Sequence, residues 1–288
     1  MGMRRVMAGR DFDFHRQVVV MAVVNRTRDS FFDRGRTFAH EHAVDAAVAA
    51  WHAGAEWVDI GGVPFSPDAE PVDAAQEYER VVPVVAELAS RTQAVISVDT
   101  WRASVAEAAL DAGAHVINDT SGLFDPELAP VVAEKDAHLI CTHSLAAPRQ
   151  HLYRPTYGDV VDEVRASLEE LVARAIDAGI DAERLFLDPG PDLNKNTTQT
   201  LELCRRFSEI CDLGFPTLVA VSNKDFVGEA LGRPKAERGP GSLASAVWCV
   251  SQGGRILRMH DAASAVDAAR MCEAILGWRE PEYLRHNM

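Results

Sequence analysis

The feature that most constrains this chain is a unit that recurs along it: an alanine-rich helical stretch, a glycine, a short apolar run and an abrupt polar stop. It is visible in HAGAEWVDIGG (52–62), DAGAHVINDTSG (111–122), DAGIDAERLFLDPG (177–190) and SQGGRILRMHD (251–261). Glycine takes the left-handed position that closes a helix without the steric cost of a Cβ. The apolar runs are too short for helices and fit strands buried on both faces. Eight can be read: Val18–Val24, Trp57–Ile60, Val95–Val98, Val116–Ile117, Leu139–Cys141, Leu185–Leu187, Thr217–Val221 and Ile256–Met259.

Helical patterns lie between them, among others His42–His52, Ser104–Ala112, Val160–Ala178, Thr198–Asp212, Leu243–Ser251 and Ala263–Leu276. Pro83 interrupts the segment Ala74–Ser90, which predicts a kinked or two-part helix there. Strict alternation of this kind closes into a single (β/α)8 barrel of the TIM type, with a doubly wound open sheet as the rival topology. No linker or low-complexity tract divides the chain, so residues 1–288 read as one domain.

Composition narrows the function. The apolar fraction of 47 % is ample for a core, while aromatics make up only 7 %, so the layers are built from Ala, Val, Leu and Ile. A net charge of −14 argues against binding nucleic acid or an anionic membrane. The five cysteines (Cys141, Cys204, Cys211, Cys249 and Cys272) form no CxxC pair, as expected of reduced thiols in a cytoplasmic protein without a zinc site. Val18–Val24 is far shorter than the ~20 residues that span a bilayer. Asp11, Asp13 and His15 break the stretch where a signal peptide would be apolar.

In barrels of this kind chemistry gathers at the C-terminal ends of the strands. Those ends read Asn25, Asp59, Asp99, Asn118, Thr142–His143, Asp188, Ser222–Lys224 and Arg258–His260. Any one of them alone is an ordinary turn residue; their recurrence on one rim, with both signs of charge, points to a site. Three loops stand out. NRTRDSFFDRG (Asn25–Gly35) is either a surface loop or a lid carrying Arg26 and Arg28 towards an anion. DPGPDLNKNT (Asp188–Thr197) holds Lys195, facing either the site or water. SNKDFVGE (Ser222–Glu229) looks like a helix start with Lys224 before it, and an Asp225 N-cap explains part of that pattern without function.

Taken together, NRTRDSFFDRG, DIGG (Asp59–Gly62), SVDT (Ser97–Thr100), IND (Ile117–Asp119), DPG with Lys195 behind it, SNKDFVG and RMHD (Arg258–Asp261) resemble dihydropteroate synthase, from about Val18 to Leu276. The resemblance implies a reaction of 6-hydroxymethyl-7,8-dihydropterin pyrophosphate with para-aminobenzoate, in which pyrophosphate leaves the exocyclic methylene and an arylamine attacks. It also implies a homodimer. By position, Asp99, Asn118 and Asp188 hold the pterin, Lys224 meets its carbonyl edge and Arg258 stacks on its ring. Asn25, His260 and a Mg²⁺ ion hold the pyrophosphate, with Asn25 on the metal and Arg26 and Arg28 as added cations. Asp99, Lys224, Arg258 and His260 are the expected catalytic set. A carboxylate such as Asp188 matches the adjacent N–H and NH₂ of a pterin.

The acceptor side departs from the family. Its second loop usually reads GGESTRPG, but Phe65 and Ser66 stand here where Thr and Arg are usual. Its SRKS becomes Ser222, Asn223, Lys224, Asp225, and its MHM after the fifth strand becomes Thr142, His143, Ser144. Phe65, Ser66, Asn223 and Asp225 are therefore the acceptor-side candidates, and the pattern looks like a divergent paralogue branch. A carboxylate at 225 is expected to repel the acceptor's carboxylate by about 4 kcal/mol at ~4 Å and an effective dielectric of ~20, making para-aminobenzoate a poor acceptor. Two other readings compete: a non-catalytic pterin-binding paralogue, and a methyltetrahydrofolate:corrinoid methyltransferase, which shares the barrel. Intact Asn25 and His260 argue against the first, and the DSF loop and RMHD against the second.

Overall fold

A computed structural model describes residues 3–26, 39–64, 68–150 and 152–287. Two short strands, β1 (Arg4–Met7) and β2 (Arg10–Asp13), form an antiparallel hairpin. Eight parallel strands follow: β3 (Val19–Asn25), β4 (Trp57–Gly61), β5 (Val95–Asp99), β6 (Val116–Asp119), β7 (His138–Thr142), β8 (Leu185–Asp188), β9 (Leu218–Val219) and β10 (Ile256–Met259). Their order is β8-β7-β6-β5-β4-β3-β10-β9. A bridge between Leu187 and Thr217 brings β8 to the start of β9 and closes the ring. All eight expected strands are present. β9 is shorter than predicted, because only Leu218 and Val219 pair with β10.

The helices are α1 (His40–His52), α2 (Ala74–Arg91), α3 (Ala103–Asp111), α4 (Leu128–Glu134), α5 (Val160–Asp177), α6 (Thr197–Arg205), α7 (Phe207–Cys211), α8 (Asp225–Leu231), α9 (Gly239–Ser251) and α10 (Ala262–Ile275). Gly54, Gly113, Gly179 and Gly253 follow four of them at φ of 101–110°, the left-handed stop read from the repeat. The expected helix Thr198–Asp212 divides at Arg206, whose φ/ψ of −108°/27° leave the helical region.

The helix expected to kink or divide at Pro83 does not divide: α2 runs unbroken through it. Proline lacks the N–H that would serve the carbonyl of Glu79. Arg26 supplies a donor instead, its Nη1 lying 3.2 Å from Glu79 O and 2.7 Å from Arg80 O. One guanidinium from the end of β3 thus fills the gap that the proline leaves.

Side chains on alternate strand positions point to opposite faces. The outward set packs on the helices. The inward set at the N-terminal end (Val19, Met21, Trp57, Val95, Val116, Ile140, Phe186, Ile256) forms a dry plug with Met7, Phe12 and Phe14 of the N-terminal segment. Phe12 meets Trp57 edge-on at 6.2 Å and Phe14 meets Phe186 at 5.7 Å. The hairpin turn places Ala8 and Gly9 at φ of 51° and 68°, the twist that suits a two-residue connection. At the seam between β3 and β10, Glu273 of α10 accepts from Val18 N (2.8 Å) and Glu56 accepts from Val20 N (2.9 Å). Arg270 ties the two carboxylates together.

Candidate active site at the C-terminal rim

Two residues beyond the dry plug, the inward positions turn polar. Asp59 follows Trp57, Ser97 follows Val95, Asn118 follows Val116, Thr142 follows Ile140, Asp188 follows Phe186 and Arg258 follows Ile256. Asp59 is fully buried. Its Oδ1 accepts from Ser97 Oγ (2.7 Å), and its Oδ2 accepts from Asn118 Nδ2 (3.1 Å) and from Arg258 Nε (2.8 Å). Arg258 Nη2 lies 2.7 Å from Asp59 and 2.9 Å from Asp99. Thr120 Oγ1 donates to Asp99 Oδ1 at 3.3 Å.

These groups set each other's charge. Burial works against the Arg258 guanidinium, but Asp59 and Asp99 outweigh it and hold the cation firmly protonated. Burial pushes the Asp99 carboxyl up to about 7; Arg258 opposes the shift, and the carboxylates of Asp59 and Glu77 add to it. Asn118 is buried with its Oδ1 unpartnered among the described residues, as is Thr142 Oγ1. A buried acceptor left unpaired costs about 1–3 kcal/mol, which a polar ligand can offset.

Across the mouth, β8 ends in the buried Asp188. Its Oδ1 accepts from Gly190 N at 2.8 Å, and its backbone carbonyl accepts from His143 N at 3.0 Å. Lys224 donates to Pro191 O, which holds its amine beside Asp188 and Asp192. Burial lowers the pKa of this amine, and those two carboxylates oppose the shift.

The rim therefore brings together Asn25, Asp99, Asn118, Asp188, Lys224, Arg258 and His260. His260 Nδ1 pairs with Ser222 Oγ at 2.9 Å. Asn25 is opposite Gly61 in the sheet register, and a Cβ at Gly61 would stand 3.0 Å from Asn25 Oδ1, so the glycine makes room for that amide. Arg26 does not join the rim set: its Nη1 is engaged by α2, as described above. Arg28, Phe65 and Ser66 lie outside the described residues.

The acceptor-side expectations need correction at one point. Asp225 is not the N-cap of α8. Lys224 holds that position without a side-chain cap, and the donor of Phe226 N is taken at 3.2 Å by Asp192, from the loop after β8. The Asp225 side chain is 82 % exposed and pairs with Arg238 at 2.7 Å. The non-local carboxylate wins because Asp192, at φ 62°, is presented directly to the helix start. Asn223 has φ 56°, donates its backbone N–H to Ser242 Oγ (2.9 Å) and accepts from Arg238 through its backbone carbonyl (3.0 Å).

Sequence reasoning noted Asp59 as a strand end but missed it as the centre of the network. The signal was available, since DIGG and SVDT place Asp59 and Ser97 on adjacent inward positions. Asp192 and the His143–Lys195 pair were missed as well, because their partners are distant in sequence.

Residues 21–260 match the pterin-binding enzyme family, and the chain belongs to it. Within that family it is dihydropteroate-synthase-like. It is 41 % identical over 285 residues to the inactive dihydropteroate synthase 2 of Mycobacterium leprae, covering 97 % of each chain. It is 38 % identical over 261 residues to the dihydropteroate synthase of Escherichia coli, covering 91 % of this chain and 93 % of the other. The structure of Xanthomonas albilineans dihydropteroate synthase with 4-aminobenzoic acid superposes with a TM-score of 0.87 at 36 % identity, covering 96 % of this chain and 99 % of that one.

Proposed function

We propose that this chain binds 6-hydroxymethyl-7,8-dihydropterin pyrophosphate at the rim and transfers the pterinylmethyl group to an amine or another nucleophile, releasing pyrophosphate. The observation that carries the reading is the pairing of Arg258 with Asp59 and Asp99, next to Asn118 and across the mouth from Asp188 and Lys224. That arrangement offers a flat guanidinium for a ring, a carboxylate for its donor edge and an amine for its carbonyl. Asp99 stands where negative charge favours a developing methylene cation. Asn25 and His260 hold the pyrophosphate. Asn25 offers one neutral oxygen to a Mg²⁺ ion; the rest of an octahedral shell would come from pyrophosphate and water, a donor set that suits this metal. When bound, the ion would supply charge stabilisation for the leaving group.

Para-aminobenzoate is a poor acceptor in this reading. The Phe226 N–H in the first turn of α8 is already engaged by Asp192, and a further carboxylate, Asp225, stands beside it. Pairing with Arg238 weakens the repulsion expected from Asp225 without freeing that donor. Exposed apolar side chains on adjacent helices, Val247 and Trp248 of α9 with Met271 and Ile275 of α10, favour a homodimer. Among the described residues no helix is long and apolar enough to cross a membrane; the reading places the protein in the cytoplasm.

A second reading, a pterin-binding protein without turnover, is favoured by the rewritten acceptor side and by the name of the M. leprae relative. One experiment separates the two. Protein is mixed with the pterin pyrophosphate and either para-aminobenzoate or an uncharged aniline, and released pyrophosphate and product mass are followed. Turnover with the aniline above that with para-aminobenzoate is expected. A kcat/KM for para-aminobenzoate of ~10⁴ M⁻¹s⁻¹ or more would make this a working dihydropteroate synthase. Binding of the pterin pyrophosphate with no pyrophosphate released in the presence of any nucleophile would establish the second reading.

A further inference from the structure

Lys195 is nearly as buried as the core, at 6 % exposure, yet it faces neither the rim nor water. Its three ammonium donors meet three neutral acceptors: His143 Nδ1 at 2.9 Å, Gly190 O at 3.0 Å and Leu193 O at 3.1 Å. The other ring nitrogen of His143, Nε2, is buried without a partner among the described residues. Burying a lysine against neutral partners is unfavourable. Desolvation lowers its pKa to about 7, with the charge of Asp188 opposing the shift.

The contacts form a closed circuit around Asp188. His143 N donates to Asp188 O, Gly190 N donates to Asp188 Oδ1, and Lys195 joins Gly190 O back to His143 Nδ1. Gly190 sits at φ 62°, and a Cβ there would stand 2.7 Å from His143 O, so the turn presses on the end of β7. The neighbouring Asn194, itself at φ 53°, accepts from Leu145 N at 2.8 Å and Ser144 Oγ at 3.0 Å, which holds the same loop from the other side. Two links of the circuit reach Asp188 itself, one on its backbone carbonyl and one on Oδ1, and Lys195 ties together the two residues that make them.

We infer that Lys195 is a positioning residue for ligand binding: through Gly190 and His143 it orients the Asp188 carboxylate towards the pterin's donor edge. The inference rests on the reading of Asp188 as a pterin ligand. Its consequence is coupling, since a residue acting only through Asp188 has nothing to contribute once that carboxylate is lost.

The test is a double-mutant cycle read by calorimetry with a bare pterin, on variants whose folding is checked by thermal unfolding. Asp188→Asn should weaken binding by roughly 30- to 1000-fold, since it loses a charge-assisted bond and turns a donor on the ligand's donors. Lys195→Met should weaken it about 10-fold or more alone, and not at all in the Asp188→Asn background. Should Lys195→Met fail to fold, His143→Leu removes one acceptor of the circuit. It should weaken binding several-fold, again only while Asp188 is intact. Wild-type affinity in the folded Lys195 or His143 variant, or effects that multiply across the cycle, would overturn the inference. Wild-type affinity in Asp188→Asn would instead overturn the reading of the site.

Discussion

At the N-terminal end of the barrel the inward side chains are Trp57, Val95, Val116, Ile140, Phe186 and Ile256; two residues further along the same strands they are Asp59, Ser97, Asn118, Thr142, Asp188 and Arg258. The first layer is sealed by Phe12 and Phe14, and its Trp57 indole nitrogen is unpartnered among the described residues. The second holds two buried carboxylates, an amide and a guanidinium, and Asp59, Asn118 and Arg258 satisfy one another. The difference teaches that one strand register serves two purposes. Its lower layer contributes apolar burial, and its upper layer holds charge in fixed positions at a cost in stability.

The comparison can be broken most forcefully at the lower layer. Trp57→Ala should cost about 3–5 kcal/mol of unfolding free energy, measured by urea denaturation. Pterin affinity of the folded fraction should stay unchanged, and an affinity that falls with stability would mean the two layers are not separable. A smaller effect belongs to the upper layer. The Asp99 carboxyl, at about 7 in the folded protein, lies above its range in the unfolded chain. Folding therefore takes up a proton between pH ~4 and 7, so this contribution is complete below pH ~4 and is lost as pH rises through 7. Asp99→Asn should flatten that part of the melting-temperature profile between pH 4 and 8. Glu77, Asp119 and Asp192, also raised by burial, should leave a residual slope of the same sign. Parallel profiles for the two proteins would assign the slope to those groups alone.

The smallest effect lies at the root of the loop after β3. Arg26→Ala should cost about 1 kcal/mol, the worth of a hydrogen bond to a freed carbonyl. In a Pro83→Ala background the helix can satisfy Glu79 O by itself, so the same substitution should cost measurably less. Equal losses in the two backgrounds would show that Arg26 does not compensate for the proline.

What was legible in the sequence was local. Left-handed glycines, short apolar runs and polar stops act within a few residues, so all eight barrel strands and most rim residues could be placed from them. What was illegible depended on distant partners. Phe12 and Phe14 become a plug only against Trp57 and Phe186, and a lone alternating pair does not announce a hairpin. Pro83 is a helix breaker by every local rule and is tolerated because Arg26 arrives from another strand. Asp225 looks like a cap because the rule for caps is local, and Asp192 takes that part from across a loop. Lys195 had two visible orientations and adopts a third, for which Gly190 and His143 are both required.

The seam between β3 and β10 carries a consequence for how the chain is made. Val19 pairs with Ile256, and the carboxylate that receives Val18 N belongs to Glu273. At ~5–20 residues per second, synthesis of the last strand trails the first by roughly 12–50 s. Throughout that interval β3 has a bare edge on one side, and such an edge is a template for wrong pairing. The first barrel strand emerges ready to pair, and its partner leaves the ribosome only after β4 to β9 have been made.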